Sequence, residues 1–172
     1  MGKKKTNPRR TPLPRNALDK DAILEEAVKD DMAHAWLLVA GPLLDRGYEL
    51  PLLADAVSAY VNHNTGNPDK NGLLRVETTL GYKRPNLDSS RVKSPVELEA
   101  FKKKVRRIAI QTALCVIYLA MERLIDRDEL KGIFFSADLT LAEVESGINS
   151  FDELQEELLE RTAELGMIEE RE

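Results

Sequence analysis

The chain has 172 residues, a formal net charge of −5 and one cysteine, Cys115. That length fits one domain able to bury roughly 70% of the surface its unfolded chain exposes. A lone cysteine in an apolar run excludes an internal disulfide and fits a reducing, cytoplasmic compartment. The longest apolar run, Ile108 to Met121, is broken by Gln111 and Thr112 and is shorter than the roughly 20 residues that span a bilayer. The N-terminus has no apolar signal core, so neither a membrane nor a secreted role is expected.

Charge is unevenly placed. Residues 1–15 hold six basic residues, Lys3, Lys4, Lys5, Arg9, Arg10 and Arg15, and no acid, which leaves −11 on the rest of the chain. With few apolar groups this arm cannot bury a core, and it is expected to stay disordered until it meets a partner. Phosphate backbones are the commonest partner of such arms; a solubilising tail, or one that folds onto the acidic C-terminal segment, accounts for the same charges. Gly2 and Thr6 also match the spacing of an N-myristoylation signal, although the lysines between them read more simply as basic arm.

Residues 16–172 read as one compact, all-α domain. A first helix starts at Asn16 or Asp19 and carries Ala22, Ile23, Ala27, Val28, Met32, Ala35, Trp36 and Val39 at helical spacing, until Gly41-Pro42 stops or kinks it. A short segment from Pro42 to Arg46 ends at Gly47, and Pro51 opens a second helix with Leu52, Leu53, Ala56, Val57, Tyr60 and Val61 inward. Residues 62–72 are turn chemistry and predict an exposed loop. Residues 73–80 fit a short β-like segment or a weak helix equally well, and a basic linker follows to Ser94.

Ser94-Pro95-Val96-Glu97 is a capping box with proline at the first helical position, so a long central helix is expected over 95–127. Its seam is Leu98, Phe101, Val105, Ile108, Thr112, Cys115 and Leu119. The first half is amphipathic and the second apolar on nearly every side, and the seam also permits a homo-oligomer. Thr140-Leu-Ala-Glu143 and Ser150-Phe-Asp-Glu153 predict two acidic C-terminal helices over 140–165. The stripe Leu154, Leu158 and Leu159 on the second is expected to dock on the chain's own core, with a protein partner as the alternative.

No catalytic motif is visible. Glu26, Asp30 and His34 recur every four residues on one helix, yet no second His or Cys cluster completes a metal site, and a solvated acidic face accounts for them. The glycines are too scattered for a phosphate-cradling loop, so neither cofactor nor metal is expected. Chemistry is concentrated in charge. From Lys83 to Arg107 nine cations, among them Lys83, Arg84, Lys102, Lys103, Arg106 and Arg107, face three acids, a balance of +6, whereas residues 140–172 carry −9. With the arm, this zone predicts phosphate-backbone contacts to nucleic acid, to DNA with RNA left open; with only Tyr82 nearby, base stacking is thinly provided.

Trp36, Leu43, Leu44, Gly47, Leu50, Asp55, Ala56 and Tyr60 resemble the first helical pair of phage small terminase subunits, and the resemblance implies binding to packaging-initiation DNA. It covers residues 36–60, and the long central helix and acidic tail depart from that family's pattern. The expectation is therefore a non-enzymatic helical accessory protein, of phage or mobile-element origin, that binds nucleic acid and a protein partner. An acidic inhibitor or adaptor that mimics nucleic acid is the alternative, and a packaging protein of the small-terminase kind a second.

Overall fold

A computed structural model describes residues 18–84 and 87–171, with side chains as far as Leu165. The fold is all-α, and the order is α1 (Lys20–Val28), α2 (Asp31–Asp45), α3 (Leu50–Asn64), α4 (Lys70–Leu80), a 3-10 turn (Ser89–Arg91), α5 (Pro95–Met121), α6 (Arg127–Glu145) and α7 (Phe151–Arg171). Helix α5 is the hub, packed by α1, α2, α3, α4 and α6. The basic arm, residues 1–15, lies outside the described residues.

The expected first helix is two helices. Asp19 caps α1 by accepting from the Ala22 amide at 3.2 Å, and the chain then turns at Lys29–Asp30. There Asp31 accepts a 2.6 Å bond from the Met32 amide, a local contact that competes with the helical ladder. Helix α1 buries only Ile23 and Ala27, against Leu98, Phe101, Val105 and Ala109 of α5. This small cluster is separate from the main core.

Helix α2 continues through Gly41-Pro42, where a stop or a kink was expected, so the stop does not occur. An interior proline costs about 3 kcal/mol. Leu38, Val39, Ala40 and Leu43 flank it with no more than 1% exposure, and burying each large apolar side chain contributes roughly 1.5–3 kcal/mol, so packing outweighs the local penalty. The helix stops instead at Gly47, whose φ of +82° is left-handed. There the Tyr48 amide donates to the Leu43 carbonyl at 3.1 Å, a glycine-terminated helix end of the kind expected.

Helix α3 buries Leu50, Leu53 and Val57, but Leu52 is exposed, against expectation. It continues to Asn64, so the loop is only residues 65–69. Residues 73–80 belong to α4 and form no strand. Asp69 accepts from the Gly72 amide at 3.0 Å, and Gly81 closes the other end at φ +73°. Leu73, Val76 and Leu80 then turn inward at helical spacing.

Ser94 starts α5: its hydroxyl oxygen accepts from the Glu97 amide at 3.2 Å and its proton goes to the Glu97 carboxylate at 3.1 Å. From Ala109 to Met121 nine side chains are buried, which makes the second half the centre of the core. The helix ends at Met121 and not at 127, because Asp126 caps a new helix by accepting from the Asp128 amide at 3.2 Å. This helix, α6, buries Leu130, Ile133, Phe134, Ala137 and Leu141.

Thr140, expected to open a helix, lies inside α6 and donates to the Ser136 carbonyl at 3.0 Å. The two acidic helices expected over 140–165 are therefore the end of α6 and α7. Ser150 does open α7, accepting from the Glu153 amide at 3.1 Å, and the helix continues past Gly166.

Candidate nucleic-acid interface

The cations of the first half of α5 occupy one side of that helix. At roughly 100° per residue, Lys102, Arg106, Lys103, Arg107 and Lys104 spread over an arc of about 200°, opposite Leu98, Phe101 and Val105, which are buried against α1. Amphipathic spacing set this arrangement, and α1 secures it by covering the apolar side alone.

The arc borders three clefts. Lys102 and Arg106 meet Asp19, Glu26 and Glu99 along a cleft of about 300 Å³ between α1 and α5. Lys103, Arg106 and Arg107 line one of about 160 Å³ with Leu141, Glu145 and Phe151. Lys83 and Arg84 line a third, of about 340 Å³, with Tyr82, Ile108 and Gln111; Lys104 lies one turn before Ile108 on the same helix face.

Not all of the charge is available. Arg107 is held by Glu145 at 2.7 Å, and Arg84 by Glu77 through bonds of 3.0 and 3.2 Å. These hydrogen bonds push both guanidinium pKa values further up, but they also neutralise the charges locally. Lys102 pairs loosely with Glu99 at 3.7 Å. Lys83, Lys103, Lys104 and Arg106 have no ion pair among the described residues.

Leu18, the first described residue, packs into the small α1–α5 cluster together with Val92. The chain therefore enters the structure beside the cationic half of α5. Arg15 lies three residues earlier in sequence, within a reach of roughly 10 Å. Lys3, Lys4, Lys5, Arg9, Arg10 and Arg15 themselves lie outside the described residues.

Other sequence candidates resolve into packing. Glu26 sits on α1, Asp30 in the turn and His34 on α2, so the chain break separates the three. His34 stacks on Phe151 at 4.0 Å, nearly parallel. Among the described residues no group of three or more His, Cys, Asp or Glu is placed to hold a metal ion. Cys115 is buried, and burial pushes its thiol pKa up to about 12, which leaves it without nucleophilic thiolate at neutral pH. Leu154 and Leu158 pack on the main core, whereas Leu159 is exposed. The seam from Leu98 to Leu119 is used within the chain, except that Thr112 is exposed and Ile108 half-buried.

Helix α7 turns the opposite charge outward: Asp152, Glu153, Glu156, Glu157, Glu160 and Glu164 are all exposed. Arg161 reaches back, to Asp45 of α2 at 2.8 Å. No helix among the described residues is long and apolar enough to cross a membrane.

The chain matches no protein-family model, no curated protein and no solved structure. The residues that resemble the small-terminase pair form α2, the Gly47 turn and α3. Leu43 and Leu50 are buried, and Trp36, Leu44 and Tyr60 pack against the same core. The resemblance is thus carried largely by packing positions.

Proposed function

We propose that this protein is a non-enzymatic, helical accessory protein that binds nucleic acid through phosphate contacts made by its basic arm together with the cationic arc of α5. The observation that carries the reading is the entry of the chain at Leu18 against the same half of α5 that presents Lys103, Lys104 and Arg106. The arm joins the described chain at that half of the helix, on the side opposite the arc, so its cations start within reach of those of α5, which supports the reading. A rigid helix supplies fixed charges, and an arm supplies reach along a backbone. Lys83 extends this surface, whereas Arg84 and Arg107 serve chiefly to tie α4 and α6 to their neighbours. DNA packaging in a phage or mobile element is one setting in which such a protein works.

The test is binding of the full chain, of a chain lacking residues 1–15, and of a Lys103→Gln/Lys104→Gln/Arg106→Gln variant to labelled DNA and RNA across a salt series. Arm-dependent affinity that falls as salt rises supports the reading. Salt-insensitive binding, or none, overturns it.

The exposed acids of α7 favour a second reading, an adaptor or inhibitor whose acidic face occupies a basic groove on a protein partner. In that case removal of residues 1–15 leaves partner binding unchanged, and charge reversal on α7 abolishes it.

A further inference from the structure

At the far end of α5, about 21 Å along the helix from Lys104 to Tyr118, a cleft of about 410 Å³ gathers three arginines from three different elements. Arg75 comes from α4, Arg123 from the turn after α5, and Arg127 is the first residue of α6. Glu122, Tyr118, Thr79 and Leu130 line the rest of the wall. Three guanidinium groups against one carboxylate leave a lining charge of +2. Like charges drawn into one cleft repel one another, and a bound dianion turns that repulsion into attraction.

The cleft is also organised. Glu122 grips Arg75 through two bonds, Nη2 to Oε1 at 2.7 Å and Nη1 to Oε2 at 3.0 Å, which fixes the orientation of that guanidinium. Arg123 and Arg127 have no ion pair among the described residues. Tyr118 is only 2% exposed, and its ring meets Phe134 edge-on at 5.2 Å. Its hydroxyl is near enough to Arg127, Arg75 and Glu122 for their charges to act on it, yet it makes no hydrogen bond among the described residues. The hydroxyl oxygen itself is not among the fully buried polar atoms, all of which have partners among the described residues, so it opens onto the cleft with its proton uncommitted. The Thr79 proton, by contrast, is committed to the Arg75 carbonyl at 2.9 Å.

We infer that this cleft is a binding site for a phosphomonoester, with Arg123 and Arg127 gripping the phosphoryl oxygens, Arg75 held in place by Glu122, and the Tyr118 hydroxyl donating to the same group. A dianionic phosphoryl group matches the lining charge of +2, whereas a carboxylate or a backbone phosphodiester matches only half of it. Planar guanidinium forks suit phosphoryl oxygens. The site lies apart from the cationic arc and does not depend on it.

The experiment is calorimetric titration of the full chain with inorganic phosphate, against acetate at matched ionic strength. One phosphate per chain is expected, with acetate much weaker. Arg123→Gln and Arg127→Gln replace exposed side chains, so helicity and Tm should hold while phosphate affinity falls roughly tenfold for each. Tyr118→Phe keeps the ring packing and should weaken phosphate by several-fold. The Lys103→Gln/Lys104→Gln/Arg106→Gln variant should bind phosphate as the unaltered chain does, which separates this site from the nucleic-acid surface. A pair of short oligonucleotides with and without a 5′-phosphate then assigns the source. A gain from the 5′-phosphate that Arg127→Gln removes identifies a strand end; no gain, with phosphate still bound, identifies a free phosphomonoester. Phosphate heats no larger than those of acetate, or phosphate affinity in both arginine variants equal to that of the unaltered chain, would overturn the assignment.

Discussion

Tyr82 and Asp138 offer the sharpest test of how the core is held together. The Tyr82 hydroxyl donates to Asp138 Oδ1 at 2.7 Å across the α4–α6 boundary, and among the described residues Asp138 has no cationic partner and no other side-chain hydrogen bond. Burial pushes the Asp138 carboxyl above its ordinary value of 3.8, and the tyrosine bond partly pulls it back. Among the described residues the hydroxyl is the side-chain donor to this half-buried carboxylate. Tyr82→Phe removes it with little loss of volume and should cost about 2 kcal/mol at pH 7, the penalty of a partly buried charge left without its donor. For a chain of this length that is a fall in Tm of roughly 4–8 °C.

The pH dependence follows from the direction of the shift. A carboxyl whose folded pKa is raised takes up protons in the folded state first, so stability falls as pH rises from 3.8 through the folded value. Without the tyrosine bond the folded pKa rises further, and the deficit of the variant, present at neutral pH, should shrink as the solution is acidified through it. Urea unfolding of both proteins at pH 4.5 and pH 7 measures the two deficits. Asp138→Asn keeps an acceptor and removes the charge, so it should be no less stable than the unaltered chain at pH 7, and Tyr82→Phe on that background should cost only about 1 kcal/mol. Equal deficits at the two pH values would assign the loss to packing; no deficit at pH 7 would refute the hydrogen-bond argument outright.

The remaining predictions concern charge, a cap, reactivity and the core. Replacing Lys103, Lys104 and Arg106 by glutamine should flatten the slope of log affinity for duplex DNA against log salt by about 2.7, if each contacts one phosphate; an unchanged slope places the contacts elsewhere. Gly72→Ala would drive a Cβ into the Asp69 carboxylate, displacing the α4 cap at a cost of about 1 kcal/mol, measurable by urea unfolding. Cys115 should resist thiol-modifying reagents at pH 8 in the folded protein and react readily in guanidinium, since burial holds its pKa near 12 when folded. Leu114→Ala, at a site with no exposure, should cost roughly 2–5 kcal/mol.

Much of the fold is legible along the chain because it depends on local chemistry. Ser94, Ser150 and Gly47 mark helix ends through bonds made within a few residues, and such bonds can be read from letters alone. Asp126 was an equally local signal: with Asp128 and Glu129 behind it and Leu130, Ile133, Phe134, Ala137 and Leu141 at helical spacing, it announces α6. The expectation of one helix over 95–127 runs across it. Thr140 misled for the opposite reason, since a threonine three residues before a glutamate also occurs inside helices, where its hydroxyl bonds back to the turn before.

The sequence by itself determined that the chain is helical, that its most apolar helix is central, and that its positive and negative charges lie in separate segments, since all three follow from short-range periodicity and composition. Only the tertiary structure decided that α2 passes through Pro42, because the compensating burial comes from side chains on α5 and α6. It alone decided that Arg107 does not keep its charge free, since Glu145 of α6 captures it, whereas Glu77 captures Arg84 only seven residues along the chain. It alone brought Arg75, Arg123 and Arg127 together, because a cleft built from α4, the end of α5 and the start of α6 joins positions whose separation in sequence follows no local period.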